Sequence, residues 1–225
     1  MIKIRFFSYG LILLSSALLG AAMFSAQTLA VQLDELSFED SAWHACITAT
    51  AKQHNWTKTE DFTALKCHSA DIHLADHLEK FTNLAALSLY NNALTTLDAR
   101  PLTQLSSLNV AGNKLEQLHV SGLAKLTSLY GFKNQLNTID LNGLVSLKQL
   151  RLMDNKLTTL DITTLTSLEE GHLFNNQLTT LDIKQLHNLK FLDVRQNPMP
   201  DQLYDEFDAM EGITISHDGN ADDWK

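Results

Sequence analysis

Between residues 84 and 197 the apolar positions recur on a fixed step. From each opening leucine the chain reads LAALSLYNNALTTLDARPLTQ at Leu84, LSSLNVAGNKLEQLHVSGLAK at Leu105 and LTSLYGFKNQLNTIDLNGLVS at Leu126. LKQLRLMDNKLTTLDITTLTS follows at Leu147, LEEGHLFNNQLTTLDIKQLHN at Leu168 and LKFLDVRQN at Leu189, each opening leucine equally far from the last and with no insertion. One such unit cannot bury its own apolar edge, but neighbours stacked on it can, so the pattern predicts a repeat solenoid. Near the start of each unit large residues alternate with polar ones, the period of a strand. Residues 87 and 89, 108 and 110, 129 and 131, 150 and 152, 171 and 173, 192 and 194 are therefore expected to point inward. Leu94, Leu115, Leu136, Leu157 and Leu178 line the interior as the chain turns away. Leu97, Leu118, Ile139, Leu160 and Leu181 do so on the far side, joined by Leu102, Leu123, Leu144, Leu165 and Leu186.

Within the unit the pattern is L-x-x-L-x-L-x-x-N-x-L-x-x-L-D, which resembles the leucine-rich repeat signature over about three fifths of the mature chain. The constant step and the Leu-Asp pair closing most units look like the internalin-type bacterial branch, whose members bind other proteins. The resemblance implies an α/β repeat: a right-handed solenoid with a parallel concave β-sheet, a helical N-terminal cap and a helix-plus-strand C-terminal cap. The expected organisation is a leader over residues 1–30, an N-terminal cap with a degenerate first repeat over 31–83, the repeats over 84–197, and a C-terminal cap with an acidic tail over 198–225.

In the first cap, Trp43, Cys46, Ile47 and Thr50 fall at helical spacing, which predicts a short amphipathic helix from about Glu39 to His54. Leu65 and Cys67 precede Leu87 and Leu89 by nearly one repeat step and mark the strand of a first, degenerate unit. At the other end Asn197-Pro198-Met199-Pro200 stops the phrase. DQLYDEFDAMEG then predicts a helix with Leu203, Phe207 and Met210 on one face and Gly212 as terminator. Ile213 and Ile215 follow Leu192 and Val194 by the unchanged repeat step, so the regular register is expected to continue into a final strand. With the strand at Leu65 the sheet should have eight. The end, HDGNADDWK, is expected to be loose.

Residues 1–30 carry Lys3 and Arg5, an apolar run from Leu11 to Leu19 and small residues near Ala30, the layout of a secretory signal peptide. The protein is expected in the periplasm or outside the cell, as a monomer without membrane insertion. Without the leader it has 15 basic against 26 acidic residues, 15 minus 26 or a net −11. Such a surface repels nucleic acid and anionic lipid, and points to a basic or neutral partner. The two cysteines, Cys46 on the helix and Cys67 on the first strand, suggest a disulfide in an oxidising compartment, with two buried thiols as the alternative.

Polar columns need separate readings. Asn92, Asn113, Asn134, Asn155, Asn176 and Asn197 recur where the chain leaves the strand and are expected to satisfy backbone groups of adjoining turns. Asp98, Asp140, Asp161 and Asp182, with His119 once, form a ladder that either collects a cation or bonds its own turns. His68, His73 and His77, with Asp71 and Asp76, offer a second metal-like cluster, against a solvated loop. No metal and no cofactor is expected. No G-x-S-x-G or H-E-x-x-H occurs, and no nucleophile, base and orienter share a recognisable spacing, so the chain reads as non-enzymatic with no catalytic residue.

Function is sought in the outward columns. These hold Ala86, Ser107, Ser128, Gln149, Glu170 and Phe191; then Ser88, Asn109, Tyr130, Arg151, His172 and Asp193; then Tyr90, Ala111, Phe132, Met153, Phe174 and Arg195; then Asn91, Gly112, Lys133, Asp154, Asn175 and Gln196. Large apolar groups have no packing reason to face outward, whereas interfaces are enriched in aromatics, Met and Arg. Tyr90, Tyr130, Phe132, Arg151, Met153, His172, Phe174, Phe191 and Arg195 are therefore the candidate partner-binding residues, and a protein ligand is the expected partner. The alternative is an envelope or matrix protein that binds glycans by stacking on Tyr130, Phe132 and Phe174. Gly131 and Gly171 replace inward leucines in this zone, which is read either as a local dent or bulge beneath the aromatics or as drift in a forgiving repeat.

Overall fold

Alternation places one leucine inward for each outward side chain, and stacking closes the leucines into a single column-built core. The computed structural model describes residues 31–219. Eight parallel strands form the main sheet: β1 (Ala64–Lys66), β2 (Ala86–Ser88), β4 (Ser107–Asn109), β6 (Ser128–Tyr130), β7 (Gln149–Arg151), β8 (Glu170–His172), β9 (Phe191–Asp193) and β10 (Thr214–Ser216), adjacent in that order. Leu65, Leu87, Leu108, Leu129, Leu150, Gly171, Leu192 and Ile215 pair across it in one row. Two further strands, β3 (Thr96–Asp98) and β5 (Gln117–His119), make a small parallel sheet on the return side. The result is a leucine-rich repeat solenoid with its main sheet on the concave side.

The predicted interior columns are buried, with Ile139 half-buried as the exception. One column escaped the leucine pattern: Ala99, Val120, Leu141, Ile162 and Ile183, each at most 3% exposed. They follow the Asp column and pack inward once the chain has turned.

The asparagine column is a hydrogen-bonded spine. Asn134 Nδ2 donates to Val110 O and to Gly131 O, both at 3.0 Å, while its Oδ1 accepts from Leu115 N at 2.9 Å. Asn113, Asn155, Asn176 and Asn197 repeat this set one turn apart. Each amide thus ties three backbone groups of two turns that leucines would leave unsatisfied.

Three expectations are corrected. The last register is longer than the repeat step: Ile215 pairs with Leu192, and Ile213 falls before the strand. The connector holds helix α2 (Asp201–Asp208) and takes two more residues than a repeat return. Second, no bulge forms at Gly131 or Gly171; β8 pairs in regular register through Gly171. The next turn fills the space: a Cβ on Gly131 would meet Leu152 Cδ2 at 3.0 Å and one on Gly171 would meet Leu192 Cδ1 at 2.9 Å. Third, Asn91, Gly112, Lys133, Asp154, Asn175 and Gln196 all have φ between 54° and 69°. That column sits in a left-handed turn, which Asn, Asp and Gly tolerate best.

The N-terminal cap is helix α1 (Ser41–His54), begun by Asp40, whose Oδ1 accepts from Trp43 N at 2.9 Å. Its Trp43 is fully buried, as are Phe62 and Phe81, and Cys46 bonds Cys67 with Cα atoms 5.9 Å apart. At the far end α2 buries Tyr204 and Phe207 and leaves Leu203 and Met210 half-buried. Among the described residues no helix is long and apolar enough to cross a membrane. The expected leader over residues 1–30 and the last residues of the acidic tail lie outside the described residues.

Candidate partner-binding face

The outward columns share one face because all strands keep parallel register. Tyr130, Phe132, Arg151, Met153, His172, Phe174 and Phe191 are each half-buried, in contact with the sheet on one side and with solvent on the other. Tyr90 is 40% exposed but stands apart: buried Ala111 separates it from Phe132 along its column, and its ring makes an edge contact with His68 at 5.8 Å.

Side-chain pairing divides the candidates. Tyr130 donates its hydroxyl to Gln149 Oε1 at 2.6 Å, and Gln149 Nε2 donates to Glu170 Oε2 at 3.4 Å. The guanidinium of Arg151 lies over the Tyr130 ring, 5.3 Å from its centroid, a cation–π contact. His172 tilts against Phe191 at 5.0 Å. Burial, and then the charge of Arg151, hold the His172 pKa below its ordinary value. Arg195, by contrast, is occupied: its Nε and Nη2 donate to the two oxygens of Asp193 at 2.9 and 2.7 Å. Burial pushes the Asp193 carboxyl up, but the donors of Arg195 outweigh it and hold the group ionised.

Residues outside the nine also shape this face. Glu169 is gripped by Lys148 at 2.9 Å and Lys190 at 2.6 Å on the neighbouring turns. Hydrogen bonds from Lys148 and then Lys190 lower its pKa to about 2. This Lys-Glu-Lys clip borders a small polar cleft of about 150 Å³ lined by Thr127, Ser128, Lys148, Gln149, Glu169 and Glu170. The recurrence of positions 148, 169 and 190 at the repeat step carries the signal for it in the sequence.

The other polar columns are accounted for locally. Asp98, Asp140, Asp161 and Asp182 each accept, through Oδ1, the backbone N–H two residues on, at 3.0–3.1 Å. His68 bonds Ser88 Oγ at 2.7 Å, His77 bonds Ser37 O at 3.0 Å and His73 is exposed beside Asp71. Among the described residues no three His, Cys, Asp or Glu side chains are grouped to hold a metal.

No protein-family model and no curated protein matches this chain. Among solved structures, internalin C2 from Listeria monocytogenes is similar at 19% identity and TM-score 0.55, over 84% of this chain and 97% of that one. The fold is internalin-like. The functional domain of InlJ from the same organism, described as including a cysteine ladder, is similar at 22% identity and TM-score 0.49 over 72% of this chain. The internalin-like solenoid here spans 55% of that domain's length. Its own cysteines form a single bridge between cap and first strand.

Proposed function

We propose that this internalin-like chain is an exported, non-enzymatic recognition module, working as a monomer, that holds a protein on the concave face of its sheet. The observation that carries the reading is the run Phe132, Met153 and Phe174 in consecutive turns of one outward column, half-exposed where packing asks for no apolar group. Tyr130, Arg151, His172 and Phe191 border it, Arg195 follows it in the same column, and Tyr90 lies beyond buried Ala111. Eight strands about 4.8 Å apart offer a face on the order of 35 Å long, enough for a standard interface. The leader over 1–30 would deliver the protein to the oxidising side of a membrane, in keeping with the disulfide. A net charge of −11 after leader removal favours a partner that is basic or neutral overall. Cross-linking the exported protein in its own cells tests the placement: Phe132→Ala with Phe174→Ala is expected to abolish capture while the melting temperature stays near wild type. Undiminished capture by the double variant rejects it.

A further inference from the structure

We infer that Arg151 is the anchor of this face and that it takes a carboxylate, an aspartate or glutamate side chain presented by the protein partner. The inference rests on the concave-face reading and supplies the chemistry of its centre.

Three arginines lie among the described residues, and two are neutralised in place. Arg100 donates Nε and Nη2 to Asp98 at 2.9 and 2.7 Å, as Arg195 does to Asp193. In both, the carboxylate stands two residues before the arginine. At that offset from Arg151 the chain has Gln149, an uncharged amide whose Oε1 already accepts the Tyr130 hydroxyl. Among the described residues Arg151 forms no ion pair, although the chain has 26 acidic residues to 17 basic. Its Nε is shielded from water and has no hydrogen-bond partner, so its donors are incompletely matched within the chain. The guanidinium lies over a ring whose hydroxyl is itself held by Gln149. Guanidinium donors without an internal acceptor suit a planar carboxylate. The long-range field of the acidic chain repels acidic proteins, so the group recognised is a single acid on a surface otherwise neutral or basic. Met153, Phe132 and Phe174 beside it offer an apolar seat. A polypeptide can place an apolar side chain next to its acid, whereas a uronic acid chain brings hydroxyls.

A random-peptide phage library panned on the mature chain tests this. Selected peptides are expected to carry Asp or Glu beside an aromatic or aliphatic residue, and replacing that acid by its amide should weaken binding about 10–100-fold. Arg151→Gln should weaken the acidic peptide by a like factor and leave the amide peptide unchanged. Gln149→Asp, which supplies the internal carboxylate found at 98 and 193, should weaken it as well while keeping the guanidinium. Selection of peptides without an acid, equal binding by Arg151→Gln, or no enrichment at all overturns the inference. So does an acid that proves to be the peptide's own carboxyl terminus, or Arg151-dependent preference for a hyaluronan hexasaccharide. Peptides that need Phe132 and Phe174 but not Arg151 overturn the carboxylate and leave the concave-face reading standing. Peptides indifferent to both phenylalanines reject that reading too.

Discussion

The two ends of the solenoid solve one problem by different means. Each must cover leucines that have a neighbour on one side only. The N-terminal end uses a 14-residue helix bonded covalently to the first turn through Cys46 and Cys67, its Trp43 fully buried along with Phe62 and Phe81. The ring of Phe62 meets Phe81 edge-on at 5.2 Å, and Trp43 Nε1 donates to Asp76 O at 3.1 Å. The C-terminal end has an eight-residue helix and no covalent tie. Tyr204 donates its hydroxyl to Asn197 O at 3.0 Å, the last member of the spine, and stacks on His217 at 4.8 Å. His217 follows β10 directly and also bonds Asp208 Oδ1 at 3.0 Å. A cleft of about 480 Å³ remains between the segment joining α2 to β10 and the preceding repeat, lined in part by Ile183, Leu186, Leu189, Met210 and Ile213. The comparison teaches that one cap is an apolar plug with a covalent tie and the other a polar clasp built onto the spine.

The largest test of that contrast is Trp43→Ala, expected to cost about 3–5 kcal/mol by emptying the plug. Hydrogen exchange should show protection lost from α1 and β1 first, with repeats beyond β4 spared. Removing the bridge with Cys46→Ala and Cys67→Ala should cost about 3 kcal/mol in denaturant titration, without changing the concave face. Tyr204→Phe should cost about 1–2 kcal/mol, since it leaves the Asn197 carbonyl without its donor; a loss as large as that from Trp43 would erase the distinction between plug and clasp.

A pH test separates the ends further. Burial alone would raise the Asp40 carboxyl, but the backbone N–H groups of Trp43, His73 and Leu74 outweigh it and hold the pKa below its ordinary 3.8. A folded-state pKa depressed below the unfolded one contributes stability that is present above about pH 4 and disappears as pH falls through the folded value. Acid should therefore loosen α1 from the 73–74 loop, and Asp40→Asn, which keeps a capping oxygen, should flatten the response of the Trp43 amide's exchange rate below pH 4. The smallest effect is expected midway between the ends. Lys133 holds φ 54° where Asn91 and Asn175 hold 56°, so Lys133→Asn should stabilise by about 0.5–1 kcal/mol and move neither cap.

The interior was legible because its signal is repeated. Leu108, Leu129 and Leu150 each restate the same choice, and the asparagines mark where every turn leaves the strand. The site was legible only as far as the outward column. That Tyr130 and Arg151 face outward follows from Leu129 and Leu150 facing inward. That Arg151 forms no ion pair among the described residues while Arg195 is clamped by Asp193 depends on distances between particular side chains. Gly131 and Gly171 illustrate the same limit: each looks like a missing leucine until the leucine of the next turn is seen to occupy its space. The final register escaped because α2 inserts two residues that the periodicity gave no reason to expect.

What the amino-acid order determined by itself, then, is the strand register within the repeats and the inward or outward sense of the side chains along those strands. Every turn incurs the same penalty for exposing a leucine, so the choice is enforced many times over. What only the tertiary structure decided is which outward groups satisfy one another, how the two ends are closed and where a guanidinium is left for something else. Those outcomes turn on hydrogen-bond-length contacts between residues brought together by the fold; a period in the sequence can put Lys148, Glu169 and Lys190 in one column but does not fix the distances between them.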